Sequence, residues 1–313
     1  MKIPRHSLRT RLVLQPSLVA LAVASCFPGT GALANPLDPT VTHGGATFQQ
    51  QGSTLSIINS PNAIIDWRSF SIGSGEITRF IQQSSASQVL NRVVGGDPSQ
   101  ILGTLQSNGR VFLINPNGIV FGRDAVVDVA GLVASTLNLS NTDFLSGRMV
   151  FGGNAGAGLR NDGMLRASGD IYLIAPTIEN NGVITAPDGS VLLAAGKSVS
   201  LVDMYRPDIL VDITAPANQV INVGNLVGGH IGIYAGAIRH EGTAFATSAV
   251  VGGDGAIVFK AKQSVTLAAG STTSASGADG GSVVVDGGAS AQIAGTVDAR
   301  GNSGGGGRIA VTA

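Results

Sequence analysis

Beyond about residue 40, apolar residues fall in short β-branched runs such as "GRVFLI" and "SVVVDG", each closed by Gly, Asn, Asp or Pro. Helical spacing, with apolar residues at i, i+3 and i+4, is lacking after the N-terminal stretch. The pattern predicts an all-β chain. In "AIIDWRSFSIG" (residues 63–73) Ile65 and Trp67 share one side, and the apolar phase then moves to Phe70 and Ile72. Such a shift predicts a bulge or corner near Ser69. "GDPSQILG" (96–103) reads as a turn followed by a short strand. In "SNGRVFLINPNGIVFG" (107–122), two uncharged apolar runs flank Asn115-Pro116-Asn117-Gly118. Pro116 biases Asn115 to an extended backbone, and Asn, Pro and Gly at the first, second and fourth positions predict a type I turn.

The pattern repeats. "NDGMLRASGDIYLIA" (161–175) aligns with "NNGVITAPDGSVLLAA" (180–195), matching Gly163 to Gly182, Ala167 to Ala186 and Ile171-Tyr172-Leu173 to Val191-Leu192-Leu193. It returns as "HEGTAFAT" with "GGDGAIVFKA", ending at Ala261, and as "AGTVDA" with "GGGGRIAVTA", ending at Ala313. "AGKSVSL" from Ala195 and "AKQSVTL" from Ala261 match at an offset of 66, which suggests three units of about 22. Units of about 20 residues, each with two or three strands and Gly or Asn corners, predict a β-solenoid. A sandwich would not require the repeat. About a dozen turns are expected, or ~60 Å of stack. Inward positions should be Val, Ile, Leu and Ala, with little room for aromatics. Residues 41–152 are less periodic and read as a specialised cap over an edge that would otherwise be open.

The first 34 residues differ. Lys2, Arg5, Arg9 and Arg11 precede an apolar stretch from Leu12 to Phe27, and "ALA" at 32–34 precedes Asn35. That layout is a secretory signal peptide cleaved after Ala34. "VASC", ending at Cys26, resembles a lipobox, but the downstream site is the better one. Removing four bases and no acid leaves 15 bases against 19 acids, a net charge near −4. A nucleic-acid binder should be basic, so that class is excluded. Cys26 is the only cysteine, so the mature chain can form neither disulfides nor cysteine-based sites. The 45 glycines and a mean hydropathy of +0.30 fit neither disorder nor a helical bundle.

Three blocks carry a family resemblance: "NSPNAIIDWRSFSIGSGEITRF", "VLNRVVGGDPSQILGTLQSNGRVFLINPNGIVFG" and "GLVASTLNLS". Together, from Val41 to Gly152, they resemble the N-terminal secretion domain of filamentous-haemagglutinin-type exoproteins of two-partner secretion systems. The resemblance implies a right-handed parallel β-helix with a small antiparallel N-terminal cap. It also implies a partner, an outer-membrane barrel transporter whose periplasmic POTRA domains recognise the exoprotein and pass it to the cell surface. Asn115, Pro116, Asn117, Gly118 and Ile119 would be the secretion motif, with Asn91 and Arg92 in the second shared block. The expected organisation is a signal peptide (1–34), the secretion domain (35–152) and continuing solenoid repeats (153–313). Nothing corresponds to the Asn-Pro-Asn-Leu element of the haemolysin-like branch; "SPNA" (60–63) is a poor counterpart, which points to the adhesin-like branch. Such exoproteins are usually far longer, so a truncated adhesin or a short member is expected. A host surface glycan or protein would be the adhesion target.

No chemistry competes strongly. His43, His230 and His240 are too scattered for a metal site and read as solvated loop histidines. There is no nucleophile elbow and no phosphate loop. "GGDG" (252–255) and "GADGG" (277–281) lack the spacing of calcium-binding repeats and read as corners. Asn138-Leu139-Ser140 is a single sequon. A pectate-lyase-like, polysaccharide-active β-helix enzyme is the alternative, with Asp203, Asp208 and Asp212 near Arg206 as its acids. The expectation is a non-enzymatic exported protein without cofactor or metal.

Overall fold

The computed structural model describes residues 35–153, 156–201, 209–210, 219–247, 254–278, 280–301 and 305–313. The leader and the Asp203, Asp208, Asp212 and Arg206 group lie outside them, as do parts of the two Gly-Asp stretches.

The architecture is the expected parallel β-helix. Three parallel ladders form its faces. The first face starts with Thr54–Asn59, Ile77–Ile81, Thr104–Ser107, Val126–Val129 and Met164–Ala167. The second starts with Ala63–Ser69, Gln88–Val93, Arg110–Ile114, Gly131–Ser135 and Ile171–Ala175. The third starts with Ser99–Ile101, Ile119–Phe121, Leu159–Asn161 and Thr177–Asn180. The corner expected near Ser69 is there: the strand ends at Ser69, and Phe70 and Ile72 turn inward onto the next face.

The repeats are rungs. Ile171, Tyr172 and Leu173 lie in register with Val191, Leu192 and Leu193, as the sequence alignment predicts. Thr243–Thr247, Thr272–Gly277 and Thr296–Gly301 stack in turn on the first face. The 66-residue offset is not a periodicity. Ala195 and Ala261 are two rungs apart, because one intervening coil takes a long detour. The two matching heptapeptides then diverge: Val199–Leu201 joins a separate antiparallel sheet, whereas Val265 and Leu267 continue the third face.

Among the described residues, the second face has ten rungs, beginning near residues 63, 88, 110, 131, 171, 191, 230, 256, 282 and 308. At the usual strand spacing that is ~43 Å of stack, shorter than the dozen turns expected. The shortfall comes from two excursions, between Ser135 and Leu159 and between Ala195 and Gln219, which spend sequence without adding rungs. They supply Asn138–Leu139, Met149–Gly152, Val199–Leu201 and Ile209–Leu210, which form a four-stranded antiparallel sheet, and a short helix, Asn141–Leu145. Ser140 caps that helix by accepting the Asp143 amide at 3.0 Å.

This sheet explains the uncharged runs. Ile64, Leu90, Phe112, Ile114, Val133 and Ile174 point outward from the second face, yet all are buried against Leu139, Phe144, Met149, Phe151, Val199 and Leu201. Phe112 and Phe144 meet edge-on at 5.1 Å. A strand buried on both sides has no polar alternation to show.

The antiparallel cap is also present: Leu37–His43 pairs with Ala63–Ser69, and Ala46–Gln51 with Thr54–Asn59. Contrary to the aliphatic expectation, Trp67, Phe70 and Phe80 fill the base of the lumen, and Phe48 of the cap meets Trp67 edge-on at 5.6 Å. The end of a stack has a neighbouring rung on one side only, so large side chains close what stacked aliphatics would leave open.

The Asn-Pro-Asn-Gly corner as candidate recognition site

Asn115 to Gly118 turn the chain from the second face to the third. The Gly118 amide donates to the Asn115 carbonyl at 3.1 Å. Asn117 is absent from the few non-glycine residues of positive φ, as a type I turn requires, and Gly118 follows at φ +119°. The Asn115 side chain is fully buried. Its Nδ2 donates to the Asp97 carbonyl and to Ser99 Oγ, each at 3.0 Å, and its Oδ1 accepts the Asn117 amide at 3.0 Å. Asn117 Nδ2 donates to the Gly95 carbonyl at 2.8 Å. The corner is thus tied to residues 95–99 of the coil before it.

On its other side the corner meets the first excursion. A Cβ at Gly118 would lie 3.5 Å from Ala157 and 3.6 Å from Pro98, and Ile119 N donates to the Gly158 carbonyl. Ile119 points into the core and starts the strand between Ser99–Ile101 and Leu159–Asn161. Only Pro116 and Asn117 stand out to solvent. The five residues of the motif therefore divide: three are internal and two are displayed.

Asn91 and Arg92 sit one rung earlier. Asn91 faces inward, where Oδ1 accepts the Trp67 indole N–H at 3.0 Å and Nδ2 donates to the Phe112 carbonyl at 3.2 Å. Arg92, in register with Asp66 and Ile114, pairs with Asp66 at 3.2 Å and donates to the Leu139 carbonyl at 2.7 Å. One residue thus braces the lumen and the next ties the stack to the covering sheet. "SPNA" is also a turn, but at a different corner and with Asn62 at φ +58°.

Sequence reasoning missed a polar spine inside the stack. Asn161, Asn180, Asn222 and His240 occupy one inward corner column, all fully buried. Asn161 Nδ2 donates to Asn180 Oδ1 at 2.8 Å, Asn180 Nδ2 to Asn222 Oδ1 at 2.7 Å, and Asn222 Nδ2 faces His240 Nδ1 at 2.9 Å. Because Asn222 Oδ1 is already taken, its Nδ2 is the donor and His240 Nδ1 the acceptor. His240 Nε2 then points its proton at the Thr272 carbonyl, 3.5 Å away. Burial pushes the His240 pKa down to about 4. His240 is therefore not the solvated loop histidine expected, whereas His43 and His230 are exposed. The signal was the recurring Asn-x-Gly (NDG, NNG, NVG, then HEG). The glycine lets successive corners approach; a Cβ at Gly182 would sit 2.1 Å from the Gly163 carbonyl oxygen.

No three His, Cys, Asp or Glu side chains converge as a metal site among the described residues. No helix among them is long and apolar enough to cross a membrane.

A family model described as the TPS secretion domain matches residues 32–309. The HMW1 secretion domain of Haemophilus influenzae, a crystal structure, superposes with a TM-score of 0.77 at 32% identity, covering 85% of this chain and 84% of that one. Two heme/hemopexin-binding proteins of Haemophilus influenzae match in sequence. One is 38% identical over 127 residues (39% of this chain, 14% of that protein) and the other 46% identical over 80 residues (26% and 9%). The matched stretch thus spans about a seventh or less of those curated relatives.

Proposed function

Since the chain belongs to the TPS secretion-domain family, whose members are recognised by a partner outer-membrane transporter, we propose that its Asn-Pro-Asn-Gly corner is part of the surface the transporter reads. In this reading Pro116 and Asn117 make contact, Asn115, Gly118 and Ile119 hold the corner in shape, and Asn91 and Arg92 brace the lumen and the covering sheet from the preceding coil. The observation that carries the reading is the division of labour at the corner: two exposed residues on a turn fixed by a buried carboxamide. The partner's POTRA domains would bind there, and Leu37–His43 and Ala46–Gln51 of the cap, each paired on one side among the described residues, would accept an added strand. A leader cleaved after Ala34 delivers the chain to the periplasm, and the product reaches the cell surface.

We further propose that residues 35–152 form the recognised part and 153–313 continue the solenoid. The ladders run through this boundary without a break, with Ile119–Phe121, Val126–Val129 and Gly131–Ser135 pairing onward to later strands. Adhesion, to a host glycan or protein, is the proposed role of the exported protein as a whole. The names of the curated relatives add haem and hemopexin to the candidate targets.

The test separates shape from recognition. Asn117→Ala and Pro116→Ala variants, co-expressed with the transporter, should stay folded, losing no more than about 1 kcal/mol of stability, and yet lose release into the medium. Wild-type release from folded variants would reduce the corner to a structural element.

A further inference from the structure

The corner has a neighbour from another coil that its own five residues do not include. Val94 follows the strand Gln88–Val93 and is 62% exposed, the most of any large apolar side chain among the described residues. A lone exposed valine is ordinary. What sets Val94 apart is how firmly its backbone is held. Its amide donates to the Trp67 carbonyl of the coil before at 2.8 Å. Gly95 then presses so closely on that coil that a Cβ there would lie 2.0 Å from the Arg68 carbonyl oxygen. From the coil after, Asn117 Nδ2 donates to the Gly95 carbonyl at 2.8 Å. The isopropyl group is thus held out in water by a backbone clamped from both sides. It also stands next to the displayed residues. The pairing of these two coils on the second face ends at Arg92 and Ile114, and two places further on are Val94 and Pro116. Adjacent rungs are about 4.8 Å apart, so Val94, Pro116 and Asn117 form one small patch. Within it, Asn117 Oδ1 accepts no hydrogen bond among the described residues.

We propose that Val94 is an apolar anchor of the surface the transporter reads, seated in a socket on the transporter's periplasmic domains while a donor there binds Asn117 Oδ1. The inference rests on the corner reading given above and adds to it a residue from the coil before. Polar atoms of an exposed turn give little net affinity, because water serves them nearly as well before binding. An isopropyl group gains by leaving water, and a clamped backbone loses little freedom when it does so. Asn117 then has two tasks: Oδ1 faces the partner, and Nδ2 keeps Val94 in place through Gly95. A socket shaped for a branched apolar group beside a single donor would also reject a corner with a polar residue at this place.

The purified chain, its fold checked by Trp67 fluorescence, would be titrated with the whole transporter in detergent. Val94→Thr keeps the shape and exchanges a methyl for a hydroxyl. It should leave the urea midpoint in place and weaken binding about tenfold. Val94→Asp should weaken binding by about a hundredfold or more, since a carboxylate would have to enter the socket. Unchanged binding by both Val94 variants, alongside a loss for Asn117→Ala, would overturn the inference and leave the corner reading intact. Self-association that Val94→Thr abolishes, with transporter binding unchanged, would give the patch to a second copy of the chain and overturn the inference as well. A folded wild-type chain that does not bind, or no loss in any of the three variants, would overturn the corner reading and the inference with it.

Discussion

Asn115 and Asn117 are two residues apart in one motif, yet their substitution should have very different consequences. Asn115→Ala removes two donated bonds and the acceptor for the Asn117 amide. Asp97 and Asn117 are exposed, so water can replace part of what those two residues lose, at about 0.5–1 kcal/mol each. Ser99 is fully buried, and stranding its hydroxyl adds about 1–3 kcal/mol. The sum is about 3 kcal/mol, a large share of the stability of a typical domain. Asn117→Ala gives up one exposed bond to the Gly95 carbonyl and one longer contact with Asn115, so it should cost about 1 kcal/mol or less. The chain provides its own reporter: Trp67 is the only tryptophan, lies in the first coil and donates to Asn91. Urea unfolding followed by its fluorescence reads the capped end, where a whole-molecule midpoint would average over rungs that unfold separately. Equal losses for the two variants, or a loss below about 1 kcal/mol for Asn115→Ala, would refute this assignment of structural and displayed residues.

Two further predictions concern the inner spine. Asn180→Ala breaks the ladder at its middle and leaves Asn161 and Asn222 each short of a buried partner, so amide exchange should quicken around both corners, with a loss of about 2–4 kcal/mol. His240, neutral when folded, has its pKa lowered to about 4 from 6.5, so the unfolded chain binds more protons between those values. The His240 contribution to stability should therefore fall as pH drops from about 6.5 toward 4 by about 3 kcal/mol, and His240→Asn should flatten that window in urea titrations at successive pH values.

The fold was legible because its signals are local. Apolar alternation with Gly and Asn corners announced strands, and Ile171-Tyr172-Leu173 against Val191-Leu192-Leu193 announced in-register stacking, because each rung meets the same environment as the last. The covering sheet was not legible. "VFLI" shows that both sides are buried, but not that Phe151 and Leu201, from two distant excursions, do the burying. The 66-residue match misled for the same reason: a short run can suit a solenoid face or a covering strand equally well. At the corner, the turn type could be read from Asn, Pro and Gly, but which asparagine is internal depends on where Ser99 and Asp97 lie in the coil before. His240 was misread because nothing in one histidine shows that it ends a column of asparagines.

The covering sheet also sets a timetable. Ile64 and Leu90 take their places on the second face early in the chain, whereas Val199 and Leu201, which help to shield that face, emerge from the ribosome long after them. For that interval the outer wall of that face is covered by Leu139, Phe144, Met149 and Phe151 of the first excursion without Val199 and Leu201. The outer wall is therefore complete only once residues 199–201 are in place, so a chain stopped short of them would leave part of this apolar surface bare.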